Sequence, residues 1–493
     1  MNDRRARAPL ETVLFAGLAL LVLSVPFAGG RFVAKAPISG FGAFYCAGQT
    51  VRAGRDPYRV QPLLDCERSL PSYRYAAVGV VEPAPLPPFV LAGFALLSLL
   101  PFVWALGAFI VLSVAAVAAA AWALDRIAGC GVPFAGAALV FSALYDNVLL
   151  AEIPPLVVGF LSVAALLAER GRFAAASAVA ALALVQPHVA APAAVAMFLA
   201  FRPARLPLAG LAVAAAGLSL AVTGFATSVE YFASVLPAHA ASEVAAKDQY
   251  SLTWVLHELG ASDALALRAG GASYVVAAVA GIAVALRAAA RFGRPALIVL
   301  VPAAFALIGG SYIHDLQLPI ALPAAVVLLT VVPGPWRAVV MAGIVLLSVP
   351  WYGGRVIAAA AGAIAVMMWY SPVAARVPVR RAAWAGAVCA AYVAVVLGIH
   401  RLPGLPHAVA GMLPDVSGGA NELASAVWAR FVRATAYGQS SARDVAVKLP
   451  LWTGLLLVGA AALATALRPG RAGGPPEGHR TTDATGAAAK ERW

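Results

Sequence analysis

The chain has 493 residues, of which 62% are hydrophobic and 12% charged; its mean hydropathy is +0.86 and its formal net charge +13. Soluble domains are roughly half apolar and about a quarter charged, so composition excludes an ordinary soluble globule, and the length of the apolar runs favours membrane helices over a β-barrel. The basic residues lie in short clusters between apolar runs (Arg4-Arg5, Arg170/Arg172, Arg202/Arg205, Arg287/Arg291/Arg294, Arg376/Arg380/Arg381, Arg468/Arg471), which is the positive-inside pattern and speaks against nucleic acid as a partner.

Residues 1–11 are basic and are expected in the cytoplasm. The apolar run Thr12 to Phe27 reads as an uncleaved first span; a cleaved signal peptide ending at Ala28-Gly29-Gly30 is the rival reading. Residues 30–83 form the first outside loop, whose densest stretch runs from Gly40 to Tyr58, with Phe44 to Ala53 as a short helix at the headgroup level. Cys46 and Cys66 both fall in this loop. On an outer face a disulfide between them is permitted, and two unpaired thiols are the other reading. Cys130 and Cys389 read as packing residues, and with no CxxC the chain is expected to hold neither a metal nor a cofactor.

Apolar runs follow at 86–122, 132–150, 154–168, 173–185, 189–201 and 206–225, and again at 272–287, 295–310, 316–332, 336–350, 355–370, 382–398 and 450–467. The run 86–122 is long enough for two helices split at Pro101, one of them short or re-entrant. The expected architecture is an all-α polytopic membrane protein of about 12–14 transmembrane helices over residues 12–467. Its outside loops fall at about 30–83, 226–270 and 399–449, and residues 468–493 form a disordered cytoplasmic tail. With both termini cytoplasmic, the expected location is the plasma membrane.

The same parity places a set of polar residues on one face. They are Arg52, Arg55, Asp56, Tyr58, Asp65, Glu67, Arg74 and Glu82 in the first loop; Asp146, Asn147 and Glu152; Gln186 and His188; Glu243, Lys247, Asp248 and Tyr250; and His314 with Asp315. Ionisable groups bordering apolar helices are costly, which makes them functional candidates. Taken singly, many are solvated loop ends. Taken together they are harder to dismiss, because Asp146, Glu152, Gln186 and His188 interrupt otherwise apolar runs.

Phe44-Tyr45, the Ala/Gly segment after it, Ala53-Gly-Arg-Asp-Pro-Tyr58 and Pro85-Leu-Pro-Pro88 together resemble glycosyltransferase family 87, the polyprenol-phosphate-mannose-dependent enzymes of GT-C type. Ala151-Glu152-Ile153-Pro154 stands where that family often has a Gly-Gln-x-Asn turn, and Glu169-Arg170-Gly171-Arg172 resembles the cytoplasmic turn that follows. Val185-Gln186-Pro187 stands at its Lys-Pro, Tyr250-Ser251-Leu252 resembles its Asn-x-Ser-Leu, and His314-Asp315-Leu-Gln-Leu-Pro319 its His-containing segment. The ordered series covers roughly residues 10–370.

The resemblance implies a GT-C-like bundle and an inverting hexosyl- or mannosyltransferase of the cell envelope. Its donor would be a polyprenyl-phosphate sugar and its acceptor a lipid or glycan, with no metal. A carboxylate would act as general base, with cations and polar donors on the leaving phosphate. The family has Asp before Phe in the first loop, where this chain has Gly40 before Phe41. The base must then come from Glu152, Asp56 or Glu82 (Asp65 and Glu67 being further carboxylates of that loop), or the chain binds lipid-linked sugar without transferring it. Arg55, Gln186, His188, Lys247 and His314 are the expected donor- and phosphate-binding residues, and Phe41, Phe44, Tyr45 and Tyr58 the recognition loop. A transporter or flippase is the competing class. It calls for charges at mid-membrane and inverted repeats, of which the sequence shows little.

Overall fold

A computed structural model describes residues 39–70, 79–351, 357–371, 378–404 and 416–467. The expected cytoplasmic amino terminus, the first span, Arg74 and the carboxyl-terminal tail lie outside the described residues. Within them every extended regular element is helical, and the isolated β-bridges pair Arg59 with Leu423 and Gln249 with His314. Five helices are long and apolar enough to cross a membrane: Phe102–Ala128, Arg202–Ser242, Asp263–Phe292, Val379–His400 and Ala442–Leu467. Among the described residues, eight shorter apolar helices of 10–17 residues accompany them. Large apolar side chains stand outward on the long helices, Trp104 at 72% exposure and Phe225 at 74%. Water would penalise such a band and lipid does not. The molecule is an all-α polytopic membrane protein.

Helix α1 (Ser39–Arg52) is built into the bundle. The helix expected over Phe44 to Ala53 forms as part of α1, and every residue from Gly40 to Gly48 is buried. Phe41 is fully buried, with its ring 5.2–6.3 Å from those of Phe94, Phe102 and Phe109. Aromatic pairs of this kind contribute about 0.5–1.5 kcal/mol each beyond area burial. Gly48 lets α1 lie directly on the backbone of Phe94, where a Cβ would collide. The Tyr45 hydroxyl donates to Leu100 O at 3.0 Å and Arg52 to Ser98 O at 2.6 Å. Cys46 and Cys66 form a disulfide that ties α1 to α2 (Val60–Ser69).

The long run after Pro85 is two helices, α3 (Pro88–Leu97) and α4 (Phe102–Ala128), split at Pro101. A short helix, α5 (Leu144–Leu149), precedes α6 (Pro154–Glu169), and α6 packs on α4 where Gly159 meets Ala116. At the far end of α6, Glu169 accepts from Arg294 Nε at 3.1 Å, Arg294 also donates to Ile127 O at 2.7 Å, and the guanidiniums of Arg126 and Arg170 lie over the Trp122 ring. Arginines therefore gather at one end of α6 and Glu152 stands just before its other end.

The segment taken as the second outside loop, 226–270, is mostly helical. Helix α7 (Arg202–Glu230) runs on through a π-helical turn, Tyr231–Val235, into α8 (Leu236–Ser242). Asp263 already begins the next long helix. The polar residues His239 and Ser242 did not break the helix because both are buried against the interior.

Candidate active site

A cavity of about 760 Å³ opens at the end of the bundle away from the arginines. Glu152 reaches it from a tight turn. Leu150 N donates to Asp146 O at 2.8 Å and Glu152 N to Asn147 O at 2.8 Å, closing α5 onto itself. Ala151 takes the left-handed conformation with φ 52°, a cost of about 1–3 kcal/mol for a residue with a Cβ. Pro154 then starts α6, its fixed φ suiting the first helical turn. Buried Asn147 anchors the turn, donating from Nδ2 to Ala143 O at 2.7 Å and to Leu316 O at 2.8 Å. Burial pushes the Glu152 carboxyl up to about 7; His314 opposes the shift, and Asp315 and Asp248 add to it.

The carboxylate of Glu152 occupies the space in front of Gly40. A Cβ placed on Gly40 would collide with Glu152 Oε1 and lie 2.7 Å from Cδ and 3.0 Å from Oε2. Gly40 sits in the first turn of α1 with an ordinary helical backbone. It is the neighbour, and not the backbone, that demands glycine there.

The same cavity carries a second cluster around His314. Tyr250 N donates to Ile313 O and Asp315 N to Asp248 O, which holds the 248–250 and 313–315 segments side by side. His314 Nδ1 lies 3.2 Å from Asp248 Oδ2, and its Nε2 lies 3.8 Å from Glu243 Oε2. The Tyr437 hydroxyl donates to Asp248 Oδ2 at 2.6 Å and Trp428 Nε1 donates to Glu243 Oε1 at 2.6 Å. Burial opposes the imidazolium of His314, but Asp248 and then Glu243 outweigh it and raise its pKa to about 9. Burial also works against an ionised Asp248, yet His314 and the Tyr437 hydroxyl hold that carboxyl below its usual range. Glu243 is pushed up by burial.

Also in the cavity wall, His188 Nε2 lies 3.0 Å from the Gln317 amide nitrogen, and its ring is 5.3 Å from that of Tyr312. Gln186 Oε1, His239 Nδ1 and Glu243 Oε2 are buried in residues of the cavity wall without a hydrogen-bond partner. An unmade buried hydrogen bond costs about 1–3 kcal/mol, so a wall carrying three such atoms suits a polar ligand.

Of the residues expected from sequence, Glu152, Glu82, Gln186, His188, His314 and Phe44 line this one cavity. Asp56 does not: its Oδ1 accepts from Tyr58 N and its Oδ2 pairs with Arg59 Nε at 3.0 Å. Asp65 accepts from the Gln61 amide, and Glu67 is fully buried beneath the Glu82 backbone N–H. Arg55 is exposed, and Lys247 is exposed with its ammonium 5.9 Å from the Tyr437 ring. Phe41 and Tyr45 pack inside the bundle, and the Tyr58 hydroxyl donates to Leu86 O at 2.8 Å while its ring faces Tyr231. Glu243 and Asp248 were legible only as outside polar groups without a role. Gln317, Trp428 and Tyr437 were not singled out; the last two stand 185 and 189 residues from the carboxylates they hold, so no local pattern joins them.

Fold and site together define a polytopic helical membrane protein with a chamber rich in carboxylates and histidines at one end. Residues 86–310 match the model of glycosyltransferase family 87, the family that the sequence motifs resemble. The matched stretch includes Glu152, Gln186, His188, Glu243 and Asp248; Gly40 and His314 lie outside it. No curated protein and no solved structure matches the chain.

Proposed function

We propose that the protein moves a hexose, mannose being the sugar the resemblance implies, from a polyprenyl-phosphate donor to a lipid or glycan hydroxyl, with inversion, and that Glu152 is the general base. One observation carries this reading: the Glu152 carboxylate fills the space that a side chain at position 40 would take. The family resemblance expects an aspartate at that position. The carboxylate is supplied from a different segment and stands in nearly the same place.

In this reaction Glu152 accepts the proton of the acceptor hydroxyl as its oxygen attacks the anomeric carbon. The bond from that carbon to the phosphate oxygen breaks on the opposite face, and the electron pair leaves with the polyprenyl phosphate. A base with a pKa near 7 is half ionised at neutral pH, which suits proton abstraction at working conditions. His314 concentrates positive charge in the same chamber, where the leaving phosphate needs it. Gln186, His188 and His239 offer polar atoms to sugar hydroxyls.

The clustering of arginines at the far end of α6 supports an outer-face chamber in a GT-C-like bundle, since basic residues are retained in the cytoplasm. The test is transfer of labelled hexose from a polyprenyl-phosphate hexose in membranes containing the full chain. Wild type should label a lipid or glycan product and Glu152→Gln should not. Equal labelling by both removes Glu152 as the base, and none by wild type with any acceptor fraction of the envelope removes the reading.

A further inference from the structure

Each carboxylate beside His314 has one oxygen fixed by an aromatic donor and the other left without a hydrogen bond. Trp428 Nε1 holds Glu243 Oε1, and Oε2 has no hydrogen-bond partner in a residue only 3% exposed. Tyr437 holds Asp248 Oδ2, and Oδ1 has none. One atom from each of Glu243, Asp248 and His314 lies within 4.8 Å of the others. We propose that these three side chains bind a divalent metal cation.

The two carboxylates fit a hard cation such as Mn²⁺ or Mg²⁺, which takes carboxylate oxygen at about 2.0–2.2 Å. Trp428 and Tyr437 then act as the outer partners that orient metal-binding carboxylates.

The chamber gives such a cation work, and this part rests on the glycosyltransferase reading. Glu82, Glu152, Glu243 and Asp248 all line it, and among the described lining residues there is no lysine or arginine. A phosphate entering that wall meets four acidic side chains. A divalent cation at Glu243, Asp248 and His314 reverses the sign locally and takes the charge that develops on the leaving phosphate oxygen.

The experiment is titration of the purified full chain in lipid nanodiscs with Mn²⁺, reading free Mn²⁺ by its paramagnetic resonance. Wild type should take up one saturable ion. Glu243→Gln and Asp248→Asn should each weaken uptake at least about tenfold, and Tyr437→Phe, which keeps all three ligands, by about tenfold. Asp65→Asn, outside the chamber, should leave uptake unchanged. Bound Mn²⁺ should also raise the thermal midpoint of wild type, which confirms binding to the folded state. No saturable uptake by wild type, or undiminished uptake by Glu243→Gln and Asp248→Asn, overturns the site. Saturable uptake with no sugar transfer keeps the site and removes the glycosyltransferase reading; full transfer in chelator-treated protein that takes up no Mn²⁺ does the reverse.

Discussion

Gly40 and Glu152 share one place in the structure: a Cβ on residue 40 would lie 2.7 Å from the Glu152 side-chain carboxyl carbon. Gly40→Asp alone should therefore be damaging, because it drives a second carboxylate into an occupied volume. Glu152→Gln should lower transfer by about 10²- to 10⁴-fold, the usual worth of a general base. The double variant Gly40→Asp/Glu152→Gly returns the carboxylate to α1 and vacates the space, and it should recover at least about tenfold over Glu152→Gln. The readout is labelled hexose transferred in membranes, corrected for protein amount. A double variant no better than Glu152→Gln would separate the two positions functionally.

The raised pKa of Glu152 sets a pH profile. Burial disfavours the anion, so the neutral acid prevails below about 7 and the base form above it. Transfer should climb with pH through about 7 and then level off, and this limb should vanish in Glu152→Gln. Stability runs the other way. A folded-state pKa above the ordinary glutamate value of 4.5 gives a contribution fully present below 4.5 and lost as pH rises through about 7. Glu152→Gln should thus gain in thermal midpoint relative to wild type between pH 5 and pH 8, as scanning fluorimetry in detergent can measure.

Asn147 joins the Glu152 turn to the His314 side of the chamber through its bond to Leu316 O at 2.8 Å. Asn147→Ala leaves buried carbonyls without that donor and should cost about 1–3 kcal/mol of stability. Transfer at saturating donor should fall as well, since the turn that aims Glu152 loses its anchor. An unchanged thermal midpoint would show that the turn holds itself.

The Cys46–Cys66 disulfide closes the segment between α1 and α2, with 20 residues of separation. Replacing both by serine should cost about 2–4 kcal/mol through the freed loop, seen as a lower thermal midpoint. Mass spectrometry of an unreduced digest of the native protein should show the two peptides linked. Free alkylation of both thiols in unreduced protein would contradict the bond and the oxidising side it implies.

The membrane helices were legible because hydropathy is local: the run around Phe102–Ala128 declares itself within its own residues, and Pro101 marks the split from Pro88–Leu97. Glu152 was visible as an acid interrupting an apolar run, and His314 as part of a motif between two spans. The burial of α1 was not legible, because Gly48 and Phe41 find their partners only when Phe94 and Phe109 are brought against them. The partition of the carboxylates was equally hidden. Asp56 is drawn to Arg59 and Glu67 lies under a backbone N–H, whereas Glu152 and Glu82 face the chamber.

By itself the sequence determined that this chain lives in a membrane, where the polar groups interrupt it, and that position 40 lacks a carboxylate. Those are properties of composition and of neighbours along the chain. Only the tertiary structure decided that Glu152 fills the place beside Gly40 and that Trp428 and Tyr437 hold the acids around His314. Helix packing brings together residues that the chain keeps far apart, and a charge acts at the distance packing sets, whatever its place in the sequence.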